Sequence, residues 1–396
     1  MAAGENVNWQ SRLSDMLSAH SWPENFDNIV EKLSTGIPLS LDDGVGLFKS
    51  NDLETIGKIA NLVKESRFSN KAFFNVNVHI NQTNICTLAC KFCAFRRGRR
   101  AKDAYQLEID DYVEDLRKYS AHVDEVHSVG GLHPEWTVDH YSKLFTTVKR
   151  EFPSIHIKAL TAVEVKHIAS LSNLTIKETL IQLRDSGLGS LPGGGAEILD
   201  DEVREIICRG KESSSEYLDI HKTAHELGIP TNCTMLFGTI ESNEQRVAHM
   251  IKIRELQNST NGFQCFVPYP FLPDDSRLPE AQLATGSEVL RVIALSRLML
   301  NNIPHIKAYR MNLGDNIAEL ALQFGADDID GTVQKESIMH LAGSKAPLDH
   351  DKAMLAKLVT NAGCVPMQRD TVYSRFEEFI PKPQPKRRTL KMAVGD

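Results

Sequence analysis

A chain of 396 residues with 41% apolar content is long enough to bury a large core, either as one barrel domain with appendages or as two smaller domains. The net charge of −7 at pH 7 is mild and no long run of one sign dominates, which argues against a nucleic-acid partner and for a small-molecule one. No segment approaches a membrane span, and the start Met1-Ala-Ala-Gly-Glu lacks the basic and apolar stretches of an export signal, so a cytoplasmic protein is expected. Seven cysteines, an odd number in a large chain, fit reduced thiols and a metal site better than a disulfide framework.

In chain order, residues 1–70 read as amphipathic helices: Trp9, Leu13, Met16 and Leu17 recur at helical spacing, and Leu39-Ser-Leu-Asp-Asp resembles a capped helix start. This predicts a helical cover. Phe74-Asn-Val-Asn-Val-His-Ile then alternates with period two, as a strand does. Further strands are predicted near 124–130, 155–160, 188–192, 231–236, 263–268, 305–310 and 326–330, each followed by a helical pattern or a loop. Eight alternating units favour parallel strands with right-handed crossovers, an α/β fold closed as a TIM-type (β/α)8 barrel spanning 71–335. A helical extension with a basic, proline-rich tail at 381–388 is expected over 336–396. Several strands are half polar, with Asn75, Asn77 and His79 on one face of the first, Glu125 and His127 on the second, His156 and Lys158 on the third, and His305 and Lys307 on the seventh. If the apolar faces meet the outer helices, the lumen is polar and takes a polar ligand.

The segment Asn84-Ile-Cys86-Thr-Leu-Ala-Cys90-Lys-Phe-Cys93-Ala-Phe-Arg follows the first strand directly, so its thiols belong to the end of the barrel where active sites form. Three cysteines is the informative count, because structural zinc and electron-transfer clusters normally take four protein ligands. Three thiolates on a [4Fe–4S] cluster, at Cys86, Cys90 and Cys93, leave one iron open to an amino and a carboxylate group. Two other readings stay open: a cysteine stripe on a helix, and a zinc site completed by His79 or by Cys208, Cys233, Cys265 or Cys364.

A Cys-x3-Cys-x-aromatic-Cys loop resembles the signature of the radical S-adenosylmethionine superfamily. That resemblance implies a [4Fe–4S] cluster and S-adenosylmethionine as co-substrate, with Phe92 near the adenine and Gly130 and Gly131 meeting the methionine amino group. Gly130-Gly-Leu-His-Pro-Glu, Leu191-Pro-Gly-Gly-Gly-Ala-Glu-Ile, Ile303-Pro-His-Ile-Lys-Ala-Tyr and Phe324-Gly-Ala-Asp-Asp-Ile-Asp-Gly-Thr further resemble its menaquinone and deazaflavin branch. Within the branch, Lys158-Ala-Leu-Thr-Ala-Val-Glu and Ala326-Asp-Asp-Ile-Asp-Gly-Thr resemble the aminofutalosine synthase family more than its cyclase relatives. The resemblance implies a transferase acting on 3-[(1-carboxyvinyl)oxy]benzoate, fed by a one-electron reductant such as flavodoxin or ferredoxin. A substrate with two carboxylates needs donors, for which His127, His133, Lys158, Lys307 and Arg310 are candidates, while Gly193, Gly194, Glu164 and Glu197 are candidates for holding the cofactor. A cyclic dehypoxanthine futalosine synthase, a deazaflavin-cofactor synthase-like enzyme, an enzyme that abstracts hydrogen and releases 5′-deoxyadenosine, and a non-catalytic metal-binding module are the competing readings.

Overall fold

A computed structural model describes residues 4–380, so the basic tail at 381–388 lies outside the described residues. Four helices come first, Trp9–Ser18, Asp27–Thr35, Leu41–Lys49 and Leu53–Phe68. The third starts where the sequence indicated: Ser40 accepts from the Asp43 amide at 3.2 Å and Asp43 accepts from the Ser40 amide at 2.7 Å, so two otherwise orphaned donors are satisfied. The last two helices lie against the outer helices Asn243–Thr260 and Gly286–Met299. Contact there is close because Gly44 has no side chain; a Cβ would stand 2.6 Å from Val247.

The predicted first strand is two pieces, β1 (Lys71–Asn75) and β2 (Asn77–His79), separated by a break at Val76. After it come β3 (Glu125–Ser128), β4 (His156–Ala159), β5 (Leu188–Ser190), β6 (Thr231–Phe237), β7 (Phe263–Pro270), β8 (His305–Ile306) and β9 (Asp328–Gly331), with helices between them. The strands pair in parallel as three sheets, β2-β3-β4-β5, β6-β7-β8 and β9-β1. Single parallel bridges, Leu191 to Thr231 and Lys307 to Asp328, link these sheets, and the chain through Val76 completes the circuit of the TIM-type barrel. The ladder is thus interrupted at three places rather than uniform.

The expected helical extension over 336–396 is mixed where it is described. It holds two helices, Ile338–Leu341 and Lys352–Asn361, but also β10 (Val365–Arg369) and β11 (Phe376–Glu378). Below Val76, β1 pairs with β10 (Lys71 opposite Val365, Phe74 opposite Gln368); above it, β2 pairs with β3 (Asn77 opposite Glu125). The first strand changes neighbour because the barrel wall parts at its base, and the β10–β11 hairpin fills the gap. No periodicity could announce β10 beside the first strand, since Pro366 lies within it and its parallel partner β1 is some 290 positions away in sequence.

The polar strand faces do point inward, and at the base they bond to one another. Asn75 donates to Glu125 at 3.0 Å, Lys158 stands 4.0 Å from Glu125, and Lys307 contacts Asp330 at 2.5 Å. Beneath them Asp328 accepts from Arg369 at 2.5 Å and from the Tyr373 hydroxyl at 2.9 Å. His305, expected to line the lumen, instead contacts Asp327 at 2.5 Å and stacks on Tyr373 with ring centroids 4.0 Å apart. Arg369 and Asp328 are both buried, so removing Arg369 leaves Asp328 with only the more distant Lys307, 3.8 Å away and already bonded to Asp330, as counter-charge. Arg369→Ala is therefore expected to cost about 3–5 kcal/mol of stability. A urea midpoint equal to that of the unsubstituted protein would show that this pair does not hold the base of the barrel.

Candidate functional site

Residues 80–104 leave β2 as a loop pinned from several sides. The Cys86 amide donates to the Arg97 carbonyl at 3.0 Å, the Thr87 amide to Leu132 at 3.1 Å, and the Lys91 amide to Ile207 at 2.8 Å. From β7's following loop, Arg277 donates to the carbonyls of Ala89 at 3.0 Å and Cys90 at 3.2 Å. The three cysteines are on this loop and not on a helix, which removes the helical-stripe reading. All three line a cavity of about 300 Å³ at the C-terminal ends of the strands. Burial pushes the Cys90 thiol up to about 12 and raises Cys93 as well, so metal binding there must displace protons.

Among the described residues, no three His, Cys, Asp or Glu side chains converge on a point that one metal ion could occupy. A cubane makes no such demand, because each thiolate takes a different iron. Of the other proposed zinc ligands, Cys233 bonds the Cys265 carbonyl at 3.6 Å, Cys265 the Phe266 carbonyl at 3.6 Å, Cys364 lies 3.8 Å from Lys64, and the ring of His79 packs on His127, while Cys208 is buried near Cys90. The loop thus presents three soft ligands to an open cavity, the donor set that a [4Fe–4S] cluster with one accessible iron requires.

Around the cysteines lie most of the residues expected to hold a cofactor. Phe92, Gly130, Glu164, Gly194 and Glu197 line the cavity. Glu164 sits at the start of helix Ala162–Ser172, where one oxygen accepts from the amide and hydroxyl of Thr161, both at 2.7 Å, and the other from the Gly130 amide at 3.0 Å. Burial pushes this carboxyl up to about 7 against those hydrogen bonds. Glu197, in a left-handed backbone conformation at φ +46°, pairs with Lys211, whose ammonium lies 5.7 Å from the Phe92 ring centre.

Two glycines serve the wall and not the cavity surface. A Cβ on Gly131 would stand 2.2 Å from the Ile85 carbonyl, and one on Gly193, at φ +85°, 2.2 Å from the Asn232 carbonyl. Each lets two backbones approach where no side chain fits. Gly131 and Gly193 are thus held by close backbone packing, and neither is among the residues that line the cavity.

Of the candidate substrate-binding side chains, His127, Lys158 and Lys307 line the cavity. His133 does not: its ring stacks on Trp136 at 4.3 Å and contacts Gln106 at 2.9 Å, because the chain turns outward after Leu132. Arg310 is likewise displaced. Strand β8 ends at Ile306, and Arg310 opens a short helix where it bonds Asp315 at 3.2 Å and the Pro347 carbonyl at 3.0 Å. Burial, with His79 and Lys158 adding to it, holds the His127 imidazole well below its usual range, so it is neutral near pH 7. Lys307 moves the other way, since Asp330 and Asp328 outweigh the burial that disfavours its charge. Sequence reasoning missed Arg96, Lys211, Tyr269, Tyr309 and Asp330 as lining residues; Arg96, Tyr309 and Asp330 lie within the quoted motifs, whereas nothing local marked Lys211 or Tyr269.

The comparisons with known proteins agree with this arrangement. The radical SAM superfamily model matches residues 80–253, and a model of the CofH/MqnC C-terminal region matches 260–383. The aminodeoxyfutalosine synthase of Thermus thermophilus is 41% identical over 87% of this chain and 94% of its own length. The chain belongs to the radical S-adenosylmethionine superfamily. The aminodeoxyfutalosine synthase of Streptomyces coelicolor is 38% identical over 90% of the chain and 95% of its own length. Among solved structures, methylornithine synthase superposes with a TM-score of 0.69 at 20% identity, covering 85% of this chain and 97% of that one, and shares the fold. As in other radical S-adenosylmethionine enzymes, the cofactors are a [4Fe–4S] cluster and S-adenosylmethionine.

The Glu164 carboxyl gives a pH test of the site. Its folded value of about 7 exceeds its ordinary 4.5, so between those limits the native state binds more protons than the unfolded chain and stability falls as pH rises. Glu164→Gln has no such titration. The unsubstituted protein's urea midpoint is expected to drop relative to the variant's across this window, and parallel profiles would contradict the burial of an unneutralised carboxyl.

Proposed function

We propose that this protein is an aminodeoxyfutalosine synthase that joins the 5′-deoxyadenosyl group of S-adenosylmethionine to 3-[(1-carboxyvinyl)oxy]benzoate, with rearrangement and loss of a carboxyl carbon, giving 6-amino-6-deoxyfutalosine. The observation that carries this reading is the cavity itself: three cysteines at the strand ends open onto a space whose opposite side offers donors for a carboxylated aryl ligand. Near-full-length likeness to two such synthases supports the choice of reaction.

When bound, the cluster and S-adenosylmethionine supply a carbon radical through one-electron cleavage of a carbon–sulfur bond, with methionine released. The chain's own residues position and enclose. Cys86, Cys90 and Cys93 hold the cluster, and Phe92, Gly130, Gly194, Glu164 and Glu197 surround the nucleoside and methionine portions. Lys158 has one nearby acid, Glu125, and Lys307 has two, Asp330 and Asp328, and an ammonium has three N–H donors, so each keeps at least one donor for a substrate carboxylate. The neutral His127 donates without adding charge. Leu88, Val129, Leu132, Leu236, Val267 and Phe271 complete the wall with apolar surface, which limits water around a reactive carbon. A one-electron donor protein, flavodoxin or ferredoxin, would supply the electron, and a reducing cytoplasm would suit both the thiols and the cluster.

Anaerobic incubation with dithionite, S-adenosylmethionine and the enolpyruvyl benzoate is expected to yield methionine and one adenosylated product by mass spectrometry. Free 5′-deoxyadenosine without an adenosylated product would assign the chain to hydrogen abstraction instead. Cys90→Ala is expected to lose iron and methionine formation together while its far-ultraviolet dichroism stays that of the unsubstituted protein. Retained methionine formation in that variant would refute the cluster assignment.

A further inference from the structure

The mild net charge of the whole chain conceals a strong local asymmetry. Residues 91–103 contain Lys91, Arg96, Arg97, Arg99, Arg100 and Lys102 against the single acid Asp103, a net of +5 within a chain whose total is −7. This run begins inside the cysteine loop and ends on a turn outside it. The turn is ordered: the Ala101 amide donates to Gly98 at 2.9 Å, the Ala104 amide to Ala101 at 3.1 Å, and the Asn84 side chain to the Asp103 carbonyl at 2.9 Å.

The cations divide by role. Arg97 faces inward, donating to the Ala94 carbonyl at 2.7 Å and pairing with Asp103 at 2.5 Å, so it braces the turn. Arg99 is exposed and pairs with the equally exposed Glu135 at 2.6 Å, a contact that water screens heavily. Arg100 and Lys102 are exposed, line no part of the cavity, and have no acidic partner among the described residues. On the other flank of the cysteine loop, Arg209 is also exposed and pairs with the exposed Glu205 at 2.8 Å, next to Gly210, whose Cβ position is 3.6 Å from Leu88. These charges neither stabilise the fold through buried pairs nor reach the substrate, yet they are concentrated beside Cys86. Backbone links the two directly, because Arg97 carries the carbonyl that accepts from the Cys86 amide at 3.0 Å. From the turn to a cluster ligand the route is a few residues of covalent chain and one hydrogen bond.

We infer that the turn at residues 98–103, through Arg99, Arg100 and Lys102, is the docking face for an acidic one-electron donor protein. This rests on the reading that Cys86, Cys90 and Cys93 hold a reducible cluster. A donor seated there gives up one electron and is oxidised by one unit while the cluster is reduced by one, with no other group transferred. Charge complementarity steers the encounter and sets its orientation.

The test uses anaerobically reconstituted full-length protein, with flavodoxin as the probe, and reads complex formation by fluorescence anisotropy separately from turnover. Arg100→Glu with Lys102→Glu is expected to weaken flavodoxin binding about tenfold or more at low salt, and added salt to weaken the unsubstituted complex in the same direction. Lys177→Glu with Lys222→Glu, exposed on outer helices, serves as the control and is expected to bind as the unsubstituted protein does. Dithionite-driven methionine formation is expected to be equal in all three proteins, because a small reductant needs no docking face. Unchanged flavodoxin affinity in the first variant, equal weakening in the control, no binding by the unsubstituted protein, or loss of dithionite-driven turnover in the first variant alone would each overturn the assignment. Absence of methionine with dithionite in the unsubstituted protein would instead overturn the cluster reading, so the two failures are distinguishable.

Discussion

The arrangement depends on charge pairing across the lower lumen. Lys158 with Glu125, Lys307 with Asp330, and Arg369 with Asp328 each join one strand or its end to the next in chain order, and every one of these side chains is buried. Isolated, any of them would cost several kcal/mol to remove from water; together they close the base of the barrel as a set of mutually compensated ions. Because that base is sealed by polar contacts and not by bulky apolar layers, the upper lumen remains open and polar on one side. The cavity is what remains above a satisfied floor.

The cysteine loop solves a different problem. A segment with no regular secondary structure must still present three thiols at fixed positions, and it does so by borrowing partners from the neighbouring barrel loops: Leu132, Ile207 and Arg277 each anchor a different point. Gly131 and Gly193 extend the same strategy, since both allow backbone to lie on backbone where any side chain would collide. Electrostatics follow from the enclosure. The buried thiols of Cys90 and Cys93 and the buried carboxyl of Glu164 are all pushed toward their neutral forms, while Glu125, paired with Lys158, is held ionised despite burial. Cys90, Cys93 and Glu164 thus have no ion-pair partner among the described residues, whereas Lys158, Lys307 and Glu197, which also line the cavity, each have at least one.

The exposed basic turn beside Cys86 belongs to the same organisation seen from outside. It gathers positive charge on the turn that follows the cysteine loop, and Arg100 and Lys102 leave the cavity lining untouched.

Much was legible in the residues themselves. Period-two alternation marked the first barrel strand, the order of strand-like and helix-like segments placed the other seven, and the spacing of Cys86, Cys90 and Cys93 located the reactive end, because these patterns are local and written within a few positions. What alternation could not decide was which polar residues face a ligand and which face each other. His133 and Arg310 looked like lumen donors until the chain's outward turn after Leu132 and the early end of β8 carried them elsewhere. Lys211 gave no local sign of meeting Glu197, nor β10 of replacing β3 beside the first strand. Ligand type and fold class are encoded in short-range pattern, whereas pairings across hundreds of residues exist only once the barrel closes, since burial and proximity are properties of the folded chain alone.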